Sequence, residues 1–298
     1  MSKHAKIGQA KWLPSKDLQT AAELCEHFNK GRTYEIFWEY CGLTADILKE
    51  KSARCWLYRE DDEVSGFALG RPRDETFVFE EIWGPCDGIS NELSRPSMRD
   101  VRRMLDFKKL LSSLDSKVPI MLRAATDNQF AHLIARALRA SWMNGLIIAE
   151  RTLSKKFEIS TPMGYKLRMF RDSDQLYMSK IRKEAFGKVL SPDDYKAWAT
   201  KKNCRTIMAT CHEELVGFII AEKRPCGSLG DFTIAVKPSH QRKGIGSTLL
   251  KAAFNVFIEM EAKRVIADYL MLNTPAHRLY QKHSFKPKRI YNYFLYER

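Results

Sequence analysis

The sequence repeats one order of predicted strands and helices at a spacing of about 150 residues, and this repeat limits the folds open to the chain. A strand hairpin is predicted at 55–70 and again at 204–220. Further along, a spacing of 145 residues pairs Asn128 with Asn273. Because self-similarity of this kind is typical of a duplicated unit, we predict two related domains, each large enough to bury its own core.

The second repeat shows its elements most clearly. Thr274, followed by Pro275, is interpreted as the N-cap of its last helix. Apolar residues at helical spacing after Gly246 predict another helix with one face on a sheet. Alternating or continuous apolar residues predict the strands besides the hairpin, at 165–174, 231–238, 264–270 and 289–298. We take the polar segment 152–164 as a linker, which gives predicted domains at 1–155 and 160–298.

Charge and cysteine content narrow the class of protein. The net charge of +14 lies entirely in residues 151–298, which hold 28 basic and 14 acidic residues, whereas the first 150 hold 22 of each. A positive field favours a phosphate-rich cofactor or nucleic acid, and an ordinary basic surface is the alternative. Without a long apolar run or a signal-like start, we expect a cytoplasmic protein without a membrane partner. Seven scattered cysteines lacking a C-x-x-C pair predict no structural metal.

The segment Ser239–Leu250, SHQRKGIGSTLL, joins a predicted strand to a predicted helix. Backbone N–H groups point outward at a helix N-terminus, where the helix dipole also favours an anion. Gly244 and Gly246 let the main chain approach a ligand closely, and Arg242 and Lys243 add positive charge. A P-loop would need a lysine after the second glycine, and a dinucleotide fingerprint a third glycine, and both are absent. The segment therefore predicts a site for a pyrophosphate held by backbone groups.

Two motifs carry a resemblance to a known family. IAVKPSHQRKGIGSTLL, residues 234–250, resembles the coenzyme A pyrophosphate loop of the GNAT superfamily of N-acyltransferases, and NTPAHRLYQKHSF, residues 273–285, resembles its next motif. The resemblance covers 164–298 well and 15–155 only in outline. It implies an α+β fold of two GNAT-like domains, each a mixed, mostly antiparallel twisted sheet flanked by helices. The first would be a degenerate domain without an acyl-CoA loop, and the second the catalytic domain.

The resemblance also implies roles for individual residues, with acetyl-CoA as the acyl donor. Tyr280 matches the tyrosine that acts as general acid toward the coenzyme A sulfur, a buried core tyrosine being the alternative. Asp231, and after it Glu222, are our candidate general bases, and each could equally be an ordinary carboxylate. The N–H of Val236 would stabilise the oxyanion. The positions implied in cofactor binding are Ile234, Ala235, Val236, Gln241, Arg242, Lys243, Gly244, Ile245, Gly246, Ser247 and Asn273.

The predicted function is an acetyl-CoA-dependent N-acetyltransferase in which a primary amine attacks directly. The amine could belong to a small molecule, a peptide N-terminus or a lysine side chain, and the sequence does not choose among them. A non-catalytic acyl-CoA-binding sensor module and an RNA-associated modifier that uses the basic half are the alternatives. In the first half, the loop at 86–97 lacks paired glycines, and Ala135 stands where Tyr280 stands in the second half, so no acyl-CoA site is expected there. The oligomeric state stays open.

Overall fold

A computed structural model describes residues 11–15, 23, 52–60, 63–84, 97–114, 118–187, 190–224 and 228–297. The chain divides into two compact units. The first comprises Met1–Ile147, Leu270–Leu272 and Lys288–Arg298, and the second comprises Ile148–Tyr269 and Asn273–Pro287. Within the described ranges, the helices are too short or too polar to cross a lipid bilayer.

The described part of the chain contains the following strands and helices, in chain order. The strands are β1 (Lys11–Ser15), β2 (Arg54–Glu60), β3 (Glu63–Arg73), β4 (Thr76–Trp83), β5 (Ile120–Ala125), β6 (Ser141–Thr152), β7 (Tyr165–Met169), β8 (Cys204–Cys211), β9 (Glu214–Lys223), β10 (Leu229–Val236), β11 (Arg264–Leu270) and β12 (Lys286–Tyr296). The helices are α1 (Met98–Ser112), α2 (Gln129–Ala137), α3 (Gln175–Phe186), α4 (Pro192–Ala199), α5 (Ile245–Glu259) and α6 (Thr274–Lys282).

The sheet of the first unit has the order β1, β2, β3, β4, β5, β12 and the beginning of β6. β1 to β4 form an antiparallel meander, and β5 then pairs parallel with β4 and antiparallel with β12. Aromatic side chains from the sheet meet those of α1 and α2 in one core. Trp12, for example, contacts Phe107 of α1, with ring centroids 5.4 Å apart. The core of the first unit is thus built from the meander and the two helices that follow it.

The sheet of the second unit has the order of the end of β6, β11, β10, β9, β8 and β7. β7 to β10 form an antiparallel meander, and β11 pairs parallel with β10. The predicted hairpin is confirmed: β8 and β9 are joined by His212 and Glu213, whose φ angles are 46° and 71°. Two left-handed residues in a two-residue turn match the twist of the strands they connect. The second unit therefore repeats the element order of the first, as the sequence predicts.

The helices of the second unit cover both faces of its sheet. Met178 and Tyr195, from α3 and α4, share a buried cluster with Phe218 of β9. Leu249 and Phe257 of α5 approach Gly217 and Gly230 instead, so closely that a Cβ on either glycine would contact them. Side chains alternate between the two faces along a strand, so adjacent Gly217 and Phe218 mark opposite faces. The predicted apolar face of α5 is confirmed by its contacts with the sheet.

The compact units differ from the predicted domain boundaries at both ends. The predicted linker at 152–164 lies within the second unit, because the unit already begins at Ile148 in β6. The predicted closing strand of the second domain, 289–298, forms most of β12 and belongs to the first unit. β12 pairs with β5 from Tyr291 to Tyr296, so its backbone hydrogen bonds are made in the sheet of the first unit.

Candidate active site

β10 and β11 separate soon after they begin. Their parallel pairing covers Leu229 with Arg264 and Gly230 with Val265, whereas β10 runs on to Val236 and β11 to Leu270. The carboxyl-terminal parts of the two strands therefore enclose a gap. Backbone groups that would bond a neighbouring strand face this gap instead.

Hydrogen bonds to β9 show which residues of β10 face the gap. The N–H of Arg224 donates to the carbonyl of Leu229, and the N–H of Lys237 donates to the carbonyl of Val216, both at 2.8 Å. These two bonds at opposite ends of β10 put its odd-numbered residues in hydrogen-bonded pairs with β9. In an antiparallel ladder the residues between such pairs direct their N–H and C=O groups the other way. The even-numbered residues of β10 thus present both groups to the gap.

This alternation separates the three strand positions that were predicted to bind the cofactor. Ile234 and Val236 are even-numbered, so their N–H groups face the gap, as the predicted backbone contacts require. Ala235 is not available in the same way: its backbone pairs with Phe218 of β9 and its side chain is buried in the core. Ala235, which the resemblance places among the cofactor-binding positions, therefore directs its backbone groups to β9 and away from the gap. Neighbouring residues in a strand direct their backbone N–H and C=O groups to opposite sides, so Ala235 cannot face the gap together with Ile234 and Val236.

The loop after β10 folds back through two left-handed residues. Gly244 has φ of +89° and is the N-cap of α5, and Arg242 has φ of 59°. A side chain at Gly244 would be strained in this conformation, and its Cβ would lie 3.4 Å from Cγ of Pro162. Gln241 fixes the start of the loop, because its Nε2 donates to the carbonyl of Val236 at 3.0 Å. The loop thus exposes the first turn of α5, where N–H groups lack intrahelical partners.

The remaining loop positions differ in what they offer to a ligand. The side chains of Arg242 and Lys243 are exposed, while Ile245 is buried and anchors the helix start. A Cβ on Gly246 would lie 3.5 Å from Cδ2 of Leu279, an ordinary contact, so this glycine is not required for space. The hydroxyl of Ser247 is engaged within the protein, 2.5 Å from Nε2 of His283. Only the backbone of Ser247 is then open to a cofactor.

His283, which sequence reasoning did not single out, is neutral at this position. Burial first, and then the nearby positive charge of Arg151, lowers its pKa to about 4. Arg151 itself donates to the carbonyl of His283 and stacks over the rings of Phe157 and Phe254, at 4.8 and 4.9 Å from their centroids. A neutral imidazole can form a hydrogen bond with the Ser247 hydroxyl without adding a charge at the start of α5.

Asn273, and not Thr274, is the N-cap of α6. Its Oδ1 accepts from the N–H of Ala276 at 3.2 Å, which moves the predicted cap back by one residue and places Pro275 in the first turn. At the other end of the motif, Ser284 has φ of 56°, in the left-handed region that favours glycine. Its N–H donates to the carbonyl of Gln281 at 3.0 Å, which closes the turn after α6.

Tyr280 lies on α6 against both strands of the gap. Its ring contacts Phe232 of β10 and Tyr269 of β11, with centroids 5.7 and 5.2 Å apart, and the side chain is 6% exposed. Burial, followed by the charges of Asp268 and Asp231, raises the pKa of its hydroxyl well above the usual value. The hydroxyl therefore holds its proton at neutral pH and can donate a hydrogen bond.

Asp231 lies at the start of the gap, and its side chain is 13% exposed. Burial raises its pKa to about 6; Arg224, which forms an ion pair with it, opposes this rise, and Asp268 adds to it. Oδ1 also accepts from the N–H of Phe232 at 2.7 Å. A carboxylate with a pKa just below neutral is mostly ionised at pH 7 and still able to take up a proton.

Glu222, the second candidate base, contacts neighbouring side chains through both carboxylate oxygens. It stands directly opposite Asp231 on β9. Its Oε2 accepts from the indole N–H of Trp198 at 2.9 Å, and its Oε1 lies 3.4 Å from Nδ2 of Asn203. Both oxygens thus hold neighbouring side chains, as those of Asp231 hold Arg224 and the N–H of Phe232. Asp231 differs in lying on β10, the strand that borders the gap, and is for that reason the better placed of the two for proton transfer.

Asp268 is a residue of this site that sequence reasoning missed. It lies on β11, is exposed to solvent, and interacts with Asp231 strongly enough to raise the pKa of that carboxyl. Its own pKa is also raised, chiefly because surrounding protein removes part of its hydration, with Arg224 acting against the rise. An acidic residue in a strand of alternating pattern gives no distinctive sequence signal, since any solvated strand face has them.

The corresponding gap of the first unit is filled by side chains. β4 and β5 also pair parallel over only part of their length, from Phe77 to Phe79 on β4. Beyond this, Nε of Arg123 donates to the carbonyl of Glu80 at 2.9 Å, and Nδ2 of Asn128 donates to the carbonyl of Ile82 at 2.8 Å. The backbone carbonyls on this side of β4 are thus already bonded.

The first unit also lacks the tyrosine of the second. Ala135, which pairs with Tyr280 at the spacing of 145 residues, is buried in the first unit's core. The loop at 86–97 falls almost entirely outside the described residues. Side chains occupy the gap of the first unit, and the expectation that this unit has no acyl-CoA site stays a prediction.

A parallel strand pair that separates, followed by a glycine-capped helix start beside the opening, is the arrangement that the resemblance to the GNAT superfamily implies. The sequence profile of the Acetyltransferase (GNAT) family matches residues 171–285. N-alpha-acetyltransferase 30 of Dictyostelium discoideum is 32% identical over 93 residues, which are 29% of this chain and 49% of that protein. The chain thus spans about half the length of this curated relative.

Solved structures extend the likeness of fold to both units. A GCN5-related N-acetyltransferase from Sphaerobacter thermophilus has a TM-score of 0.69 at 14% identity, covering 96% of this chain and 94% of that one. A tandem GNAT protein from the clavulanic acid biosynthesis pathway has a TM-score of 0.64 at 12% identity, covering 96% and 98%. Residues 171–285 are a domain of the GNAT acetyltransferase family, and the predicted α+β fold with two GNAT-like units is confirmed.

Proposed function

We propose that the protein is an acetyl-CoA-dependent N-acetyltransferase that acts on a primary amine. The observation that carries the proposal is the gap between β10 and β11, lined by the N–H groups of Ile234 and Val236 and continuing to Gly244 at the start of α5. Proteins of the GNAT family use acetyl-CoA as the acyl donor. The gap and the helix start together offer what such a molecule needs: backbone donors for an extended amide chain and an anion site for its pyrophosphate.

The residues around the gap fit acetyl-CoA, which supplies an activated acetyl thioester when bound. The exposed N–H groups at Gly244 and the first turn of α5 would hold the pyrophosphate, with Arg242 and Lys243 adding charge at its edge. The fit of the loop to a pyrophosphate depends on Gly244, because only glycine adopts its backbone conformation without strain. Ile234 and Val236 would bond the amide-containing arm. Asn273, whose Oδ1 caps α6, has its amide nitrogen for the same purpose.

Two side chains in the site have roles that involve a proton: one would accept it and the other would donate a hydrogen bond. Asp231, with its pKa of about 6, would accept the proton that the attacking amine loses. Tyr280 would donate a hydrogen bond to the sulfur as it leaves. Because burial holds the pKa of Tyr280 far above that of a thiol, near 8.5, the hydroxyl stabilises the sulfur by hydrogen bonding and keeps its proton.

The pKa of the amine itself favours one kind of acceptor among those open from the sequence. Moving a proton from a peptide α-ammonium, pKa near 8, to a carboxyl of pKa about 6 is uphill by about 3 kcal/mol. The same transfer from a lysine ammonium, pKa near 10.4, is uphill by about 6 kcal/mol. The name of the Dictyostelium relative, an N-alpha-acetyltransferase, agrees with this choice. We therefore propose a peptide α-amine as the first acceptor to test.

The test is a turnover screen with acetyl-CoA and three amine classes: short peptides with a free α-amino group, peptides with a free lysine, and small aliphatic amines. Free thiol is measured. We expect thiol release with the α-amino peptides, its loss in Gly244→Glu, which puts a carboxylate at the pyrophosphate site, and its retention in the matched control Gly246→Ala. Unchanged turnover in Gly244→Glu would contradict the site.

The same screen separates the alternatives. Thermal stabilisation by acetyl-CoA without thiol release from any amine would identify a non-catalytic binding module. Salt-dependent retention of RNA, with neither stabilisation nor turnover, would favour the nucleic-acid function suggested by the basic second half.

A further inference from the structure

A cavity lies at the end of the second unit's sheet that is opposite to the cofactor loop, residues 241–247. It has a volume of about 330 Å³ and is lined by the end of β7, the end of α4 and the start of β8. β8 and β10 both run antiparallel to β9, so they begin at the same end of the sheet, and the cofactor loop follows the other end of β10. The cavity is therefore separate from the proposed acetyl-CoA site.

The charged side chains that line this cavity are all basic. They are Lys201, Lys202 and Arg205, here called the cavity cations, and among the described residues the lining includes no carboxylate. Burial raises the pKa of the Cys204 thiol in the cavity wall to about 12, and Lys201 and Arg205 are among the charges that oppose this rise. Positive charge thus acts at the cavity wall, where it favours an anion over a neutral molecule.

Neighbouring carboxylates do not neutralise the cavity cations. Asp172 and Asp174, which follow β7, form ion pairs at 2.9 and 2.7 Å with Lys196 and Arg168 instead. Within the described part of the chain, the cavity cations make no ion pair. Nη1 of Arg205 donates to two neutral carbonyl groups, which fixes the side chain and leaves its charge uncompensated.

Thr206 provides an independent sign that the cavity takes a ligand. Its side chain projects from the same face of β8 as Cys204 and Met208, which pack in the buried cluster beneath α3 and α4. Thr206 is 2% exposed, and its Oγ1 has no hydrogen-bond partner among the described residues. Buried hydroxyl groups are normally hydrogen-bonded, and a valine would fill the same space without a buried polar atom. This hydroxyl therefore points to a polar group that a ligand brings.

We propose that the cavity binds a small organic phosphate, a phosphate monoester whose apolar part lies against Met169 and Phe170. A phosphate monoester carries a charge of about −1.5 to −2 at pH 7, which suits three cations better than the single charge of a carboxylate. Its oxygens can accept from the Thr206 hydroxyl. Small-molecule pockets have volumes of about 300 to 1,000 Å³, so this cavity has the size for a small ligand.

The test compares a phosphate monoester with a neutral molecule of similar shape. Binding of phenyl phosphate and of benzyl alcohol to the full chain is measured by ligand-observed NMR titration. We expect wild-type protein to bind phenyl phosphate and not benzyl alcohol. Thr206→Val keeps the shape of the side chain and should weaken phenyl phosphate binding about 10-fold, as expected for the loss of a hydrogen bond to a charged group. Lys201→Gln combined with Lys202→Gln should weaken it further.

A stability measurement separates a ligand-binding hydroxyl from a structural one. Because the Thr206 hydroxyl has no partner among the described residues, Thr206→Val should leave the midpoint of thermal unfolding unchanged or raise it. A lower midpoint together with unchanged phenyl phosphate binding would show that the hydroxyl supports the fold, and would overturn the proposal.

Further controls locate the binding and define the ligand. Gly244→Glu, at the cofactor loop, and Lys282→Gln, which removes an exposed cation elsewhere, should both leave phenyl phosphate binding unchanged. Loss of binding in Gly244→Glu would place the phosphate at the cofactor loop and contradict the proposal. Wild-type protein that binds no phenyl phosphate, or binds benzyl alcohol equally well, would also overturn it. Equally tight binding of inorganic phosphate, or tighter binding of a phosphoserine peptide, would contradict a small organic phosphate as the ligand.

Discussion

Replacing Asp231 with asparagine tests the proposed proton acceptor most directly. In the folded protein, burial raises the pKa of this carboxyl from 3.8 to about 6, in spite of the ion pair with Arg224. The ionised form, which is the base, is therefore lost on acidification within a pH range where most exposed carboxylates stay charged. Asparagine keeps the shape of the side chain and removes the titration.

The pKa of Asp231 determines how much kcat should change with pH. With a value of about 6, about 90% of Asp231 is ionised at pH 7 and about 10% at pH 5, so kcat should fall about ninefold between these pH values. Asp231→Asn should lower kcat at pH 7 by about 10²-fold to 10⁴-fold, the usual contribution of a general base, and leave no inflection near pH 6.

The same pKa has a consequence for stability. A carboxyl whose pKa is raised on folding stabilises the folded state fully below its unfolded pKa, and this stability is lost as the pH rises through the folded value. For Asp231, the rise from 3.8 to about 6 corresponds to about 3 kcal/mol, lost between about pH 4 and pH 6. Wild-type protein should therefore lose stability relative to Asp231→Asn by about this amount over that range.

Two measurements check these expectations. Thiol release at saturating amine, from pH 5 to 8, gives the ionisation in the enzyme–substrate complex. Denaturant unfolding of both proteins at pH 4 and pH 7 gives the stability difference. Glu222→Gln is the matched control and should keep the inflection. An inflection that persists in Asp231→Asn, or that disappears in Glu222→Gln, would refute the assignment of Asp231 as the base.

Two further variants probe the cofactor site and the closed gap of the first unit. Gly244→Ala should destabilise the protein by about 1 kcal/mol and weaken coenzyme A binding, because alanine is strained at this φ, whereas Gly246→Ala should do neither; calorimetric titration and thermal melts distinguish them. Arg123→Ala should destabilise the protein by about 3 kcal/mol or more, since the buried Glu81 loses its guanidinium partner, and unfolding measurements test this. A gain of coenzyme A stoichiometry in Arg123→Ala would show that one side chain alone closes the first gap.

Much of the cofactor loop could be predicted because the residues that form it are consecutive in the sequence. Gly244 is visible in the sequence as a glycine between a strand and a helix, and the structure gives it the left-handed φ that requires one. The same holds for the strand and helix order of the second unit. The N-cap of α6 was missed by one residue because Asn273 and Thr274 are both good caps, and only the hydrogen bond to Ala276 distinguishes them.

Features that depend on pairing between distant segments could not be predicted. Ala235 and Val236 look alike in sequence, and the register of β10 on β9 decides which of them faces the gap. Asp268 becomes part of the site only because β11 lies beside β10, which places it near Asp231. β12 was correctly predicted as a strand, but alternation of apolar residues does not say which strand will be its neighbour.

The assignment of β12 to the first unit has a consequence for how the protein is made. Ribosomes synthesise the chain from its N-terminus, so β5 is complete long before β12, whose residues are 286–296. Until those residues are made, β5 has an unpaired edge, where other chains can add a strand. The first unit to be translated is therefore the last to complete its sheet. For the same reason, a fragment that ends before residue 286 would leave the first unit, and not the second, with its sheet unfinished.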